Sequence, residues 1–252
     1  MAPKSMRLKL AYLYPRLMNI YGDRGNIITF KYRCRARGIE LEVEELEQGD
    51  KLNWKDYDII FMGGAQDRQQ QKVAEDMEKL KGKSLKEAAE DGSVILAICG
   101  GYQLIGRFYR AADGTELPGL GILDLHTEHP GEEAERFIGN VVARWSGTTL
   151  VGFENHGGRT YLGEKAEPLG TIVSGYGNNG KDATEGAIYK NVYGTYLHGS
   201  LLPKNPVLAD HLIGIALSRR YKGAKLASID DRVENEAHAD AVRLATGGAI
   251  IG

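Results

Sequence analysis

A chain of 252 residues with 42% hydrophobic and 26% charged side chains has the balance of an ordinary soluble globular protein. Its formal net charge of −2 offers no clustered basic face for nucleic acid, and no run approaches the roughly 20 apolar residues of a membrane span. Two cysteines, Cys34 and Cys99, exclude a disulfide framework in a chain this long, so a cytoplasmic location is expected.

In chain order, Leu8–Leu13 reads as a strand, residues 26–37 as a helix stopped by Gly38, and Ile39–Leu46 as a second strand. Asp58–Met62 is a short apolar strand that runs into Gly63-Gly64. Charged amphipathic helices follow at residues 66–81 and 84–90, and Val94–Ile98 is the most apolar strand of the chain. Strands separated by helices of this length predict an α/β fold, a mostly parallel sheet with helices on both faces, which binds ligands beyond its strands' carboxyl ends. From about Asp113 the chain becomes glycine-rich, with short strands predicted at residues 119–123, 139–143, 149–154, 171–174, 187–189 and 192–196. These read as an antiparallel extension of the sheet, before helices at residues 207–221 and 234–245. No repeat or linker-like break appears, so one domain over residues 1–252 is expected.

Cys99 stands where the strand Val94–Ile98 turns through Gly100-Gly101 into a helical pattern. A helix N-terminus favours a thiolate, and glycines allow both the tight turn and close approach of a substrate to backbone amides. A thiol nucleophile needs a base. His198 closes the apolar run Tyr193–Leu197 at another strand end, and spacing favours it modestly over His156 in Phe153-Glu-Asn-His-Gly-Gly-Arg. His126 and His129 form a His-x-x-His pair without the further ligands or helix that a metal site requires. Gly175-Tyr-Gly-Asn-Asn-Gly180 matches the dinucleotide fingerprint in letters, but no apolar-periodic helix follows to receive a pyrophosphate. There is no P-loop either, so any ATP-dependent step is expected on another polypeptide.

The segment Ala97-Ile-Cys-Gly-Gly-Tyr-Gln resembles the nucleophile elbow of class I glutamine amidotransferases, and Tyr193-Gly-Thr-Tyr-Leu-His-Gly resembles the histidine segment of their cobyric acid synthase-like branch. The blocks from Tyr14 to Asn26, Gly63 to Arg68, Gly152 to Tyr161 and Leu197 to Pro206 narrow the resemblance to the glutaminase subunits of lipid II isoglutaminyl synthase, over about residues 7–220. The resemblance implies a Rossmann-like amidotransferase fold. It implies Cys99 as the nucleophile toward L-glutamine and His198 as base and then acid. It further implies an oxyanion hole from the N–H groups of Gly64 and Gly100, and Arg136 as the partner of the substrate carboxylate. No cofactor is implied on this chain. ATP and magnesium belong on a Mur-ligase-like synthetase subunit (MurT), which would form a heterodimer with it and use the ammonia to convert D-glutamate of lipid II to D-isoglutamine. Lipid II could then hold the assembly at the inner membrane face.

The chain departs from the wider class after His198. Many class I enzymes carry a glutamate two residues on, where this chain has Ser200, so a carboxylate supplied by the partner subunit is the expectation. Two alternatives remain at this level: the glutaminase part of a cobyrinate or cobyric acid amidating enzyme, and a non-catalytic redox-sensing subunit in which Cys99 is merely oxidisable.

Overall fold

The structure, a computed structural model, describes residues 6–248. In the first half, helix α1 (Arg24–Arg35) connects strands β1 (Arg7–Leu13) and β2 (Glu40–Leu46), a loop with one short turn leads to β3 (Ile59–Met62), and helices α2 (Asp67–Asp76) and α3 (Gly82–Asp91) lead to β4 (Val94–Ile98). A five-residue helix, α4 (Gly100–Leu104), starts immediately after Cys99. Short strands follow: β5 (Phe108–Arg110), β6 (Glu116–Pro118), β7 (Leu125–Glu128), β8 (Phe137–Trp145), β9 (Thr148–His156), β10 (Arg159–Leu162), β11 (Gly170–Ser174) and β12 (Thr184–Glu185). The chain then returns through β13 (Ala187–Tyr189) and β14 (Val192–Thr195) before helices α5 (Leu201–Lys204), α6 (Pro206–Arg220) and α7 (Arg232–Ala245).

The central sheet has the order β13-β14-β4-β3-β1-β2, and every pair in it is parallel except β13 with β14. Composition explains the order. Ile59–Met62 and Val94–Ile98 are apolar at every position and buried at every position, as strands covered on both faces must be. Glu40–Leu46 alternates acidic with apolar residues and takes the sheet edge, where charge discourages pairing with another chain.

Two sequence expectations are corrected. Of the antiparallel strands only β13 extends the central sheet; the others form two separate four-stranded sheets, β10-β7-β5-β6 and β12-β11-β8-β9. Residues 119–123 are not a strand, because their N–H groups are spent elsewhere. Leu120, Gly121, Ile122 and Leu123 donate to the carbonyls of Leu104, Gly106 and Ile105, satisfying the end of α4 that would otherwise be left open.

The helical reading of residues 66–81 holds, with one irregularity: α2 passes through a π turn at Met77–Lys81 before α3. That turn carries Lys81 into the interior, where its Nζ meets Asp76 Oδ2 at 2.6 Å and the Tyr14 hydroxyl donates to the same oxygen at 2.8 Å. Strands β3, β4 and β14 are sheet neighbours running in one direction. Their carboxyl ends therefore deliver Gly63-Gly64, Cys99 and the Tyr196–His198 segment to one end of the sheet.

Candidate functional site

Cys99 sits on a sharp corner, with φ 50° and ψ −104°, a region that costs about 1–3 kcal/mol for a residue with a side chain. The corner is held from both sides: its N–H donates to Thr195 O at 2.8 Å, and its carbonyl accepts the Gln103 N–H at 2.9 Å. Glycine is required next to it. A Cβ on Gly101 would stand 2.9 Å from Gly63 O, and one on Gly100 would stand 2.6 Å from Gln70 Nε2 and 2.9 Å from Ala65 N. Cys99 is 7% exposed and lines a cavity of about 600 Å³, large enough for an amino acid.

His198 follows β14 by three residues and is fully buried. It is fixed by a two-bond bridge to Phe153 of β9, at 2.8 and 3.2 Å. Gly64 lies between this ring and the thiol: a Cβ there would be 3.2 Å from Cys99 Cβ and 3.2 Å from His198 Cε1. Burial, with smaller contributions from His156 and Arg136, lowers the His198 imidazole to about 3, so it is neutral at pH 7 and able to take a proton. The two histidines that spacing left open are thus separated. His156 stacks on Tyr196 with ring centroids 3.6 Å apart, and its Nδ1 is bonded to Gly158 O at 2.8 Å. It forms part of the cavity wall, while His198 faces Gly64 beside Cys99.

Gly64 is where the structure corrects the reading. Its N–H is not free for an oxyanion, since it donates to Asp23 Oδ2 at 2.7 Å. A side chain at this position would meet Ile20, Cys99 and His198 at once. Gly100, by contrast, contributes the first N–H of α4, a position with no acceptor inside the helix. Asp23, which sequence reasoning did not single out, lies next to the His198 ring. It lies fully buried within the block Tyr14–Asn26 that carried the resemblance, with Oδ1 4.0 Å from His198 Nδ1. Burial raises its carboxyl to about 7, against the opposing effect of the Gly64 hydrogen bond. Where the wider class has glutamate, Ser200 instead donates its hydroxyl to Gly22 O at 2.6 Å, next to Asp23.

Arg136 precedes β8 and lines the same cavity as Cys99. Asn155 aims it: Arg136 Nε donates to Asn155 Oδ1 and Nη2 to Asn155 O, both at 3.0 Å, leaving further guanidinium donors for a carboxylate. The cavity floor is a buried polar chain in which Gln70 donates to Gln103 at 2.8 Å and Gln103 to the Tyr196 hydroxyl at 3.0 Å.

The remaining motifs lie elsewhere. The His126 ring stacks between Phe108 and Tyr161, and His129 Nδ1 accepts the Gly131 N–H. In the glycine loop 175–180, the N–H groups of Tyr176 and Gly177 donate to the buried Glu154 side chain, so they are already taken. Among the described residues no three His, Cys, Asp or Glu side chains converge as a metal site, and no helix is long and apolar enough to cross a membrane.

Comparison with known proteins agrees with this geometry. Residues 9–206 match the CobB/CobQ-like glutamine amidotransferase domain. The chain is 45% identical over 222 residues to the lipid II isoglutaminyl synthase (glutamine-hydrolyzing) subunit GatD of Staphylococcus aureus (strain N315), covering 87% of this chain and 88% of that one. It is 39% identical over 233 residues to the GatD subunit of Streptococcus pneumoniae (strain ATCC BAA-255 / R6), covering 91% and 88%. A crystal structure of a glutamine amidotransferase superposes with a TM-score of 0.56 at 16% identity, over 82% of this chain and 98% of that one, which is agreement of fold alone. An elbow cysteine facing a buried histidine across a glycine, on this sheet and with these relatives, places the chain in the CobB/CobQ-like glutamine amidotransferase family, among the GatD subunits of lipid II isoglutaminyl synthase.

Proposed function

We propose that Cys99 and His198 are the residues with which this chain, a glutaminase subunit of the lipid II amidating kind, releases ammonia from L-glutamine. The observation that carries the reading is the placement of both side chains about Gly64 at the ends of neighbouring parallel strands. His198 takes the thiol proton as the sulfur attacks the side-chain amide carbon, and returns it to the nitrogen as ammonia leaves. Water, activated by the same imidazole, then cleaves the glutamyl thioester to glutamate and restores the thiol. The developing oxyanion is met by the Gly100 N–H, and Ala65 N, at the neighbouring loop, is the second donor in place of Gly64. Such a donor contributes about 2.7–4 kcal/mol in comparable acyl-transfer sites. Arg136 binds the α-carboxylate through a forked, charge-assisted pair.

The ammonia is destined for a second subunit, in keeping with the subunit names of the relatives. In this reading that partner is the Mur-ligase-like synthetase MurT. It holds ATP and magnesium and activates the α-carboxyl of D-glutamate in lipid II, which becomes D-isoglutamine. The complex would work in the cytoplasm, with lipid II as a tie to the membrane face. A water-excluding path between the two sites is a physical requirement, because ammonia in water is protonated and lost as a nucleophile.

The test is mass spectrometry after incubation with an electrophilic glutamine analogue, paired with a glutaminase assay. One label per chain at Cys99, excluded by glutamine, together with loss of activity in Cys99→Ala, is the expected result. Glutamine hydrolysis by Cys99→Ala at the wild-type rate would overturn it. Oxidation of Cys99 without analogue labelling would favour the sensing subunit.

A further inference from the structure

We propose that Arg159 is a positioning residue for glutamine, which holds Arg136 at the cavity wall by fastening its two chain neighbours, Glu135 and Phe137, to the Gly157-Gly158 turn. The inference rests on the reading of Arg136 as the partner of the substrate carboxylate.

Arg136 has no regular structure beneath it. Residues 129–136 lie outside any helix or strand, and β8 starts only at Phe137. An arginine on such a loop loses much rotamer freedom when it binds, and that loss weakens the hold on a ligand unless the loop is fixed beforehand. Asn155 fixes the Nε edge of the Arg136 guanidinium, but not the backbone that carries it. Arg159 does the latter. Its Nη2 donates to the carbonyl of Glu135, the residue before Arg136, at 2.6 Å. Its guanidinium lies over the ring of Phe137, the residue after, 3.4 Å from the centroid. Its Nη1 donates to Gly157 O at 2.8 Å and, more weakly, to Gly158 O at 3.4 Å.

Both glycines line the cavity with Arg136 and Cys99, so the fastened segments are the wall of the site itself. They also join β9 to β10, which belong to different sheets, and this makes the turn a firm anchor. The Phe137 ring is held as well: Tyr176 stacks parallel to it at 4.3 Å, so close that it and the guanidinium must take opposite faces. The acceptors of Arg159 are all backbone carbonyls, and among the described residues no carboxylate pairs with it. Its charge and that of Arg136 oppose each other, a cost that an anion bound beside them relieves. Lysine could not replace it, because a point charge cannot span both segments and lie flat on a ring.

The experiment measures glutaminase kinetics of the full chain together with its synthetase subunit. It compares wild type, Arg159→Lys, Arg159→Gln, Arg136→Ala and the double variant Arg136→Ala with Arg159→Gln. In Arg159→Gln the KM for glutamine should rise about tenfold with kcat little changed, and lysine should recover only part of the loss. In the Arg136→Ala background the same substitution should add little, since the group it positions is gone; a purely structural role would act equally in both backgrounds. An equal rise in both backgrounds would overturn the proposal, as would a wild-type KM in Arg159→Gln beside a raised KM in Arg136→Ala. If Arg159→Gln fails to fold, Phe137→Leu decides the point. It leaves Arg159 in place, removes the ring on which it lies, and should raise KM by a smaller factor; a wild-type KM there would count against the proposal. An unchanged KM in Arg136→Ala would instead remove the reading on which it rests.

Discussion

A Cβ on Gly64 would stand 3.2 Å from the Cβ of Cys99, closer than two such carbons normally pack, and equally close to His198 Cε1. The backbone of Gly64 is not in the left-handed region, so alanine meets no conformational barrier there. The nearest neighbour of the added Cβ would be Ile20 Cγ2 at 2.8 Å, the end of a flexible side chain that lines the same cavity, so Gly64→Ala is expected to fold and to act at the site, pressing on Ile20, Cys99 and His198 by a few tenths of an ångström. Misplacement on that scale should lower kcat about ten- to a hundredfold, with the thermal midpoint nearly unchanged. A wild-type kcat in this variant would show that the pair does not react across Gly64.

Arg136 can offer a carboxylate a planar pair of donors because Asn155 holds the Nε edge of its guanidinium. Arg136→Lys keeps the charge and loses the fork. Charge-assisted hydrogen bonds contribute about 1.5–3 kcal/mol, so KM for glutamine should rise about ten- to a hundredfold while kcat falls less. Steady-state kinetics of the lysine and alanine variants measure this. A KM unchanged in both would place the substrate carboxylate elsewhere.

Glu185 is a buried acid whose ionisation opposes folding. Its Oε1 accepts the Thr195 hydroxyl at 2.5 Å and the Tyr196 N–H at 2.8 Å, just ahead of His198. Burial, reinforced by Glu154, raises its carboxyl from 4.5 to about 7. Between those values the folded chain holds a proton that the unfolded chain has released. Its contribution to stability is therefore complete below pH 4.5 and declines as pH rises toward 7, by up to about 1.4 kcal/mol per pH unit. Glu185→Gln should lack that decline. Urea midpoints taken from pH 5 to pH 8 should converge on, then favour, the variant; parallel curves would mean that Glu185 is already ionised in the fold.

The parallel half of the fold was legible because each element is locally self-consistent. Val94–Ile98 and Ile59–Met62 are apolar without interruption, and the glycines that follow them stand where neighbouring atoms leave no room for a Cβ. Of the second half, β8, β9, β11, β13 and β14 were legible as strands, but their pairing was not, and the sheet β10-β7-β5-β6 was not legible at all. Short, half-exposed strands such as β8 and β11 specify which face is apolar, and their partners are set by contacts distant in sequence. Residues 119–123 show the limit: their pattern suits a strand, and the open end of α4 claims their N–H groups instead.

By itself the sequence determined the elbow at Cys99, a histidine at a second strand end, and the family, because short-range backbone requirements and motif spacing are written in consecutive residues. Only the tertiary structure decided how those groups face one another. It set the His198 imidazole against Gly64 beside Cys99 and stacked that of His156 on Tyr196. It turned the Gly64 N–H away from the oxyanion role and onto Asp23. And it set Asp23, from the start of α1, near His198, a juxtaposition of residues 175 positions apart that a parallel sheet creates when the segments after β1 and β14 gather at one end.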